Sequence, residues 1–528
     1  MGWSPNLFAP LCSVGNTLIL NSPTTSMRKS YTVTTYTASA LRRVGRDLVC
    51  PFSIVLEGDV GTIQCLQVLR FLPGKRIVCR ARWRQQTLLV KLILSRFKAS
   101  LHAQRERAGM AAMAAASCRV PALVLDGHFG RGRVLGFEFL PDATTMAEQW
   151  DGWEWAERSH WMTESLDQIA LLHGAGLTQN DIHPGNFLVD NQHIYCIDGD
   201  GINRRHRGSL LSDRRRRDNL ALYFAQSPPQ HDARVPDWLT TYNAAYQRIS
   251  SGHDLAVAEM LDAVRKWRNW RLDNYLDKVY RDSSAFVCNR NWRHLTLFDR
   301  RLESPHWRQY LQQLDRHLEA GQRLKSGNTA TVALSEFRDR TQCRQVVIKR
   351  YNIKGFRHWL GRFWRPSRGW VSWGNGHMLG LLGIDTPRPL ALVEERFGPL
   401  RGRAFLVCEY SKGESVLARY HRQDRPGRIP KPELALFRQL FETLIAYRIT
   451  HGDMKANNLL LQAGRLQVID LDIMCRHRSG IRFRRAFARD LRRFEKNWQD
   501  LPAVGQSFAG IIKPLLTSLS KAREPGRG

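Results

Sequence analysis

An aspartate, four residues, an asparagine and then a short apolar hairpin closing on Ile-Asp occurs twice in this 528-residue chain. The later copy runs from Thr450-His451-Gly452-Asp453 through Lys455 and Asn458 to Ile469-Asp470-Leu471-Asp472. The earlier runs from Gln179-Asn180-Asp181 through His183 and Asn186 to Ile197-Asp198-Gly199-Asp200. These residue types suit phosphoryl transfer. The first Asp can accept a hydroxyl proton, and the Asn and the second Asp can hold Mg²⁺ against nucleotide phosphates. A single Asp-x4-Asn is commonplace. Here, however, the offsets Asp453–Asp181, Asn458–Asn186, Asp470–Asp198, Asp472–Asp200 and Asp490–Asp218 are all 272. Such register without insertion indicates internal duplication.

The elements that must position these residues are legible on either side. Ile77–Trp83 and Leu88–Leu94 read as a hairpin whose second strand carries Lys91, placed to reach phosphate. The helical stretch Arg96–Ala116 carries Glu106, a candidate partner for Lys91. Phe137–Leu140 reads as the strand where a nucleotide base would meet backbone, and residues 152–176 as an amphipathic helix leading into the first loop. In the second copy, Leu324–Val332 reads as strand–turn–strand, with Gly327, Asn328 and Thr329 offering backbone N–H groups to phosphate. Gln345–Tyr351 supplies Lys349, Leu406–Tyr410 the second base-facing strand, and residues 432–448 the helix before the loop. Aligning Pro387 with Pro121 puts Ser372 where Glu106 stands, so the second copy lacks that carboxylate. The first copy lacks a Lys at the position of Lys455, where a cation can neutralise a transferring phosphoryl group, and has His183 instead. Residues 219–320 read as helical. Asp218 and Asp490 are expected to brace loop backbone.

Composition sets bounds. With 80 Lys and Arg against 48 Asp and Glu, the net charge of +32 points to an anionic partner. The basic runs Arg204–Arg207 and Arg214–Arg217 follow the first Asp198 and could grip an anionic acceptor. Interleaved Trp and Arg raise nucleic acid as a partner, but no nucleic-acid-binding module is present and that reading is not favoured. Ten Cys without a Cys-x-x-Cys pair suit a reducing, cytoplasm-like compartment. No apolar run approaches the ~20 residues needed to span a bilayer. Residues 1–46 contain no acidic side chain and are expected to be a flexible tail, or to precede a true start at Met27. Residues 521–528 are expected to fray.

Val347-Ile348-Lys349-Arg350-Tyr351-Asn352, Trp364-Arg365-Pro366-Ser367-Arg368, Thr386-Pro387-Arg388-Pro389 and His451-Gly452-Asp453 resemble the bacterial lipopolysaccharide core kinases. These are the heptose and Kdo kinases related to protein kinases and aminoglycoside phosphotransferases. The resemblance implies an α+β fold of two tandem protein-kinase-like domains, 47–300 and 301–520, each with a β-rich N-lobe and a helical C-lobe. It implies ATP with Mg²⁺, and as acceptor a sugar of the lipopolysaccharide inner core, met at the inner face of the cytoplasmic membrane. Carried onto this chain, Asp453 and Asp181 would be bases and Lys455 a charge-neutralising group. Lys349 and Lys91 would contact phosphate, with Glu106 as partner, and Asn458, Asp470, Asn186 and Asp198 would hold metal. An alternative is a pseudokinase scaffold in core assembly, or a kinase with another acceptor. Oligomeric state is not readable.

Overall fold

The structure is a computed structural model that describes residues 33–46, 48–204, 210–327, 329–339, 343–352, 364–422 and 428–521. It is a mixed α+β chain with two compact units, one made of residues up to 227 with 231–268, the other of 228–230 with 269 onward. The division expected at 300/301 therefore falls inside the second unit. Its cause is a strand pair missed in a stretch read as helical. Phe286–Arg290 and His294–Asp299 form a hairpin whose second strand pairs with Pro389–Phe397. The signal was present as alternation at the start of the second strand, where His294 faces outward and Leu295 and Leu297 are buried. Asn291 closes the turn, its side-chain oxygen accepting from the N–H groups of Arg293 and His294.

In the first unit a seven-stranded sheet runs in the order Thr34–Thr35, Phe52–Val55, Thr62–Leu72, Arg76–Trp83, Gln86–Ile93, Gly132–Glu138, Leu123–Phe129. The strands alternate burial, as in Arg76–Trp83, where Ile77, Cys79 and Ala81 are buried. This packs one face into a core with Phe52, Val90 and Phe129. Residues 33–46 of the expected flexible tail are ordered, and residues 1–32 lie outside the described residues. Thr34 and Thr35 pair in parallel with Phe52 and Ser53, and the helix Ala38–Arg43, capped by Thr37, buries Leu41. Apolar burial holds this short segment despite its unpromising composition.

The helix Ala99–Ala115 crosses from this sheet to the segment after Asp198. Its helical periodicity buries Ala99, Ala103, Glu106, Gly109, Met110 and Met113. Gly109 is there because backbone meets backbone: an added Cβ would stand 2.0 Å from the Gly199 carbonyl oxygen. The helix Trp155–Gly174 and the helices Asp213–Phe224 and Val235–Gln247 build the second core around Leu166, Tyr223 and Tyr242.

The second unit repeats the plan. Its sheet order is Phe286–Arg290, His294–Asp299, Pro389–Phe397, Leu400–Glu409, Cys343–Tyr351, Ala330–Arg338, Gln322–Ser326. The helix Arg368–Leu381, capped by Ser367, lies against Pro389–Phe397 and Leu400–Glu409. The helices Lys431–Ala446, Gly480–Glu495 and Pro502–Lys521 enclose a core of Phe437, Phe441, Phe487, Phe494 and Phe508. The extra strands sit at different places in the two sheets. In the first unit they extend the edge beside Thr62–Leu72, and in the second the edge beside Pro389–Phe397.

Gly109→Val should destabilise the protein by ~1–3 kcal/mol through overpacking against Gly199. Gly510→Ala, at a helical position with nothing within 4 Å, should be neutral or stabilising. Thermal unfolding of the two variants beside the wild type checks both.

Candidate active site

The second unit gathers its motif residues through short backbone links. The hairpin Leu459–Gln462 with Arg465–Val468 is continued by Ile469, whose N–H donates to Asn458 O at 2.9 Å. That bond sets Asp470 beside Asn458. The Asn458 amide donates to Asp453 O at 2.9 Å, closing the loop and leaving its own amide oxygen as the remaining acceptor. His451 is fully buried, its Nε2 2.9 Å from Ile469 O and its Nδ1 accepting from Asp453 N. Asp490, on the helix Gly480–Glu495, accepts from the N–H groups of His451 and Gly452 at 2.8 and 3.0 Å. Burial pushes the Asp490 carboxyl up from its ordinary range.

Lys349, on the strand Cys343–Tyr351, forms an ion pair with Asp470 and lies 3.5 Å from Asp472. Burial opposes its charge, but Tyr351, Asp470 and Asp472 overrule this and hold the ammonium above its usual range. Asp470 is the converse case. Burial would raise its carboxyl, yet Lys349 above all, then Lys325 and Arg368, hold it below the ordinary value. Asp453 carries two cations, Lys455 at 3.1 Å and Arg493 at 2.8 Å.

Ser372 does stand where the first copy has Glu106, and it bonds Tyr351 OH at 2.9 Å rather than Lys349. The helix reaches the Asp470–Asp472 segment by other means. Arg368 pairs with Asp472, and Asn375 donates to the carbonyls of Leu471 and Met474 at 2.9 Å each. Pro366, Arg368, Val371, Asp472 and Ile473 line a cavity of about 390 Å³ beside this junction. Gly327 and Thr329 are tied to Asn352, which donates to both of their carbonyls. Asn328 lies outside the described residues.

In the first unit Lys91 meets Glu106 at 2.5 Å and Asp198 at 3.7 Å. Glu106, 1% exposed, also accepts from the N–H groups of Gly199 and Asp200 at 3.2 Å. It therefore joins the strand lysine, the helix and the segment after Asp198. Burial would raise Asp198, but Lys91, Arg76 and Arg70 hold it low. The Asn186 amide donates to Asp181 O at 2.8 Å, and Ile197 N–H donates to Asn186 O at 2.9 Å, as in the second unit. Gln179 takes the place of His451, donating to Ile197 O and Asp198 O at 3.0 Å. Asp181 is exposed.

Asp218 does not brace the loop: it lies beside Arg214 and Arg217, and the neighbouring Asn219 donates to Gln179 O at 2.8 Å instead. Asn219 is in turn fixed by the buried His173, which burial keeps neutral with a pKa of about 4. Arg493, Asn375 and Arg76 were not singled out from sequence. Each is one Arg or Asn among many, and nothing local marks it. The basic run at 205–207 lies outside the described residues, and Arg214, Arg216 and Arg217 pair with Asp218, Asp213 and Glu259.

Among the described residues no group of three or more His, Cys, Asp or Glu gathers at metal-binding spacing. Magnesium asks less of a protein: one or two carboxylates, with phosphate oxygens and waters completing the shell. Asp470 with the Asn458 amide oxygen, and Asp198 with that of Asn186, are hard oxygen donors of the kind required. No helix among the described residues is long and apolar enough to cross a membrane.

Residues 372–513 match the model of the lipopolysaccharide kinase (Kdo/WaaP) family. The resemblance drawn from sequence therefore holds over the segment containing Asp453, Asn458 and Asp470. Among solved structures, the M. tuberculosis PknI kinase domain aligns with 41% of this chain and 97% of its own, at 14% identity and a TM-score of 0.27. No curated protein matches the chain.

Two outcomes follow. Glu106→Ala should cost ~3 kcal/mol in thermal unfolding, because it leaves Lys91 buried without its partner. Lys349→Met should remove an acid-sensitive contribution to stability. Asp470, held low by Lys349, contributes above its unfolded value of about 4 and loses that contribution as pH falls through its folded one. Lys349, held high, contributes below its unfolded value of about 10.4 and keeps doing so until pH rises through its folded one. The gap in melting temperature between wild type and variant should be widest from about pH 5 to 9 and should close below about pH 4.

Proposed function

We propose that the protein is an ATP-dependent phosphotransferase acting on a sugar hydroxyl of the lipopolysaccharide inner core, with the second unit transferring the phosphate. The observation that carries this is the junction of Lys349, Asp470, Asn458 and Asp453. A strand lysine pairs with Asp470, whose neighbour Ile469 bonds Asn458, whose amide in turn bonds the Asp453 carbonyl, so the four residues are linked by a chain of contacts. The family match over residues 372–513 supports the acceptor class.

In this reading Asp453 orients the acceptor hydroxyl and takes its proton. Asn458 and Asp470 would hold Mg²⁺, which when bound neutralises nucleotide phosphate charge. Lys349 leaves Asp470 for the phosphate oxygens as nucleotide enters, exchanging one anion for another. Lys455 and Arg493, already beside Asp453, stabilise the charge on the phosphoryl group in flight. Most of the rate comes from positioning and charge neutralisation. Binding at the inner face of the cytoplasmic membrane, with the basic surface against anionic lipid, belongs to the same reading.

The first unit supports a second role. It retains the Lys91–Glu106 pair but has His183 in place of the loop lysine, and among the described residues no Lys or Arg pairs with Asp181 as Lys455 and Arg493 do with Asp453. It is suited to holding nucleotide or serving as a scaffold rather than to fast transfer.

Asp453→Asn should lower transfer from Mg-ATP to dephosphorylated core lipopolysaccharide by about 10²–10⁴-fold. Asp181→Asn should leave most of it. Phosphorus NMR of the product reads both. Equal loss in both variants would assign turnover to both units, and no transfer by wild type would sink the proposal.

A further inference from the structure

The helix Gly480–Glu495 divides its residues by charge more sharply than its neighbours. Phe483, Phe487, Leu491 and Phe494 are buried, and Asp490 is buried against the loop of Asp453. Arg482, Arg485, Arg489, Arg492 and Arg493 are exposed, spaced by three or four residues along the opposite face. Like charges at that spacing destabilise a helix in isolation.

Some arginines elsewhere in this chain are matched with carboxylates. Arg217 meets Glu259 at 2.6 Å, and Arg300 meets Asp282 and Glu303 at 2.5 and 2.8 Å. Along this stripe, among the described residues, Arg493 alone has a carboxylate within ion-pair reach, and that carboxylate is Asp453. The stripe thus has one end at the candidate proton acceptor. At a rise of 1.5 Å per residue it extends ~16 Å from there to Arg482, farther than a single sugar ring.

We propose that this stripe is the docking track of the acceptor, and that the acceptor is an anionic oligosaccharide. It would carry phosphate or carboxylate groups on sugars beyond the one whose hydroxyl reaches Asp453. Guanidinium forks suit both kinds of group, and a row of them reads spacing as well as charge. The orientation of the acceptor rests on the phosphotransferase reading; the binding itself does not.

The test is direct binding to the full-length protein. The probes are deacylated lipopolysaccharide core oligosaccharide with its phosphates and carboxylates intact, and the same oligosaccharide dephosphorylated and carboxyl-reduced. Wild type should bind the anionic form at least about tenfold more tightly than the neutral form, with affinity falling steeply as salt rises. Arg482→Gln/Arg485→Gln/Arg489→Gln should lose at least about tenfold toward the anionic form and nothing toward the neutral form. The triple Lys variant should retain most of the affinity, and unchanged thermal unfolding should show that the fold survives; if the triple Gln variant does not fold, Arg485→Gln alone is measured for a smaller loss in the same direction. Equal affinity for both oligosaccharides, or a Gln variant binding like wild type, overturns the proposal. So does a loss confined to anionic phospholipid vesicles or to RNA, which would assign the stripe to those partners. Tight, Arg-dependent binding without phosphate transfer would sink the kinase reading and leave the track standing.

Discussion

The docking of one helix onto the segment after the second aspartate is the constraint on which each unit's site depends. The strand lysine comes from a sheet and the carboxylate from a loop far along the chain. The intervening helix touches both the sheet and that loop. In the first unit Glu106 does this with both carboxylate oxygens, one toward Lys91 and both toward backbone N–H groups. The approach is close enough that Gly109 and Gly199 leave no room for a side chain. In the second unit the corresponding positions carry Ser372, Asn375 and Leu471. The larger residues replace backbone contact with side-chain reach, as Asn375 donates to Leu471 O and Arg368 pairs with Asp472. The missing glutamate is thus one part of a linked change, not an isolated loss.

That change alters the charge balance around the lysine. Lys91 shares its charge with Glu106, a residue of the helix, and stands 3.7 Å from Asp198. Among the described residues Lys349 has no such helix partner and rests directly on Asp470 and Asp472. The first arrangement keeps its aspartate available and its lysine fixed. The second engages lysine and aspartate directly with each other. Two copies of one plan thereby differ in what holds the strand lysine.

Sequence carried the parts of this whose determinants are local. Asp-x4-Asn followed by a hairpin works because the Asn side chain closes its own loop and its backbone pairs with the hairpin, all within a few residues. Period-two burial showed the strands around Lys91 and Lys349. Long-range partners were less visible. Arg493 and Asn219 act across 40 residues onto the loops, and many equivalent residues surround each of them. Asp218 kept the offset of 272 from Asp490, yet its neighbour took the bracing role. Register in sequence does not fix which side of a helix turn faces the loop. The strands at 286–299 were missed because a helix-rich, arginine-rich neighbourhood hid a short alternation.

Asp198 and Asp470 both adopt left-handed backbone, at φ of +69° and +64°. Outside glycine, this region is tolerated chiefly by Asn and Asp, whose short side chains can satisfy nearby backbone. At these two places the polypeptide therefore limits the side-chain alphabet before any chemistry is considered. Drift away from aspartate has few open exits. Asparagine preserves the bend and discards the charge, glycine preserves the bend and discards the whole group, and bulkier residues hold the bend only at a cost of ~1–2 kcal/mol. A copy released from selection would be expected to slide first to one of those two neighbours, and both units still hold the acid.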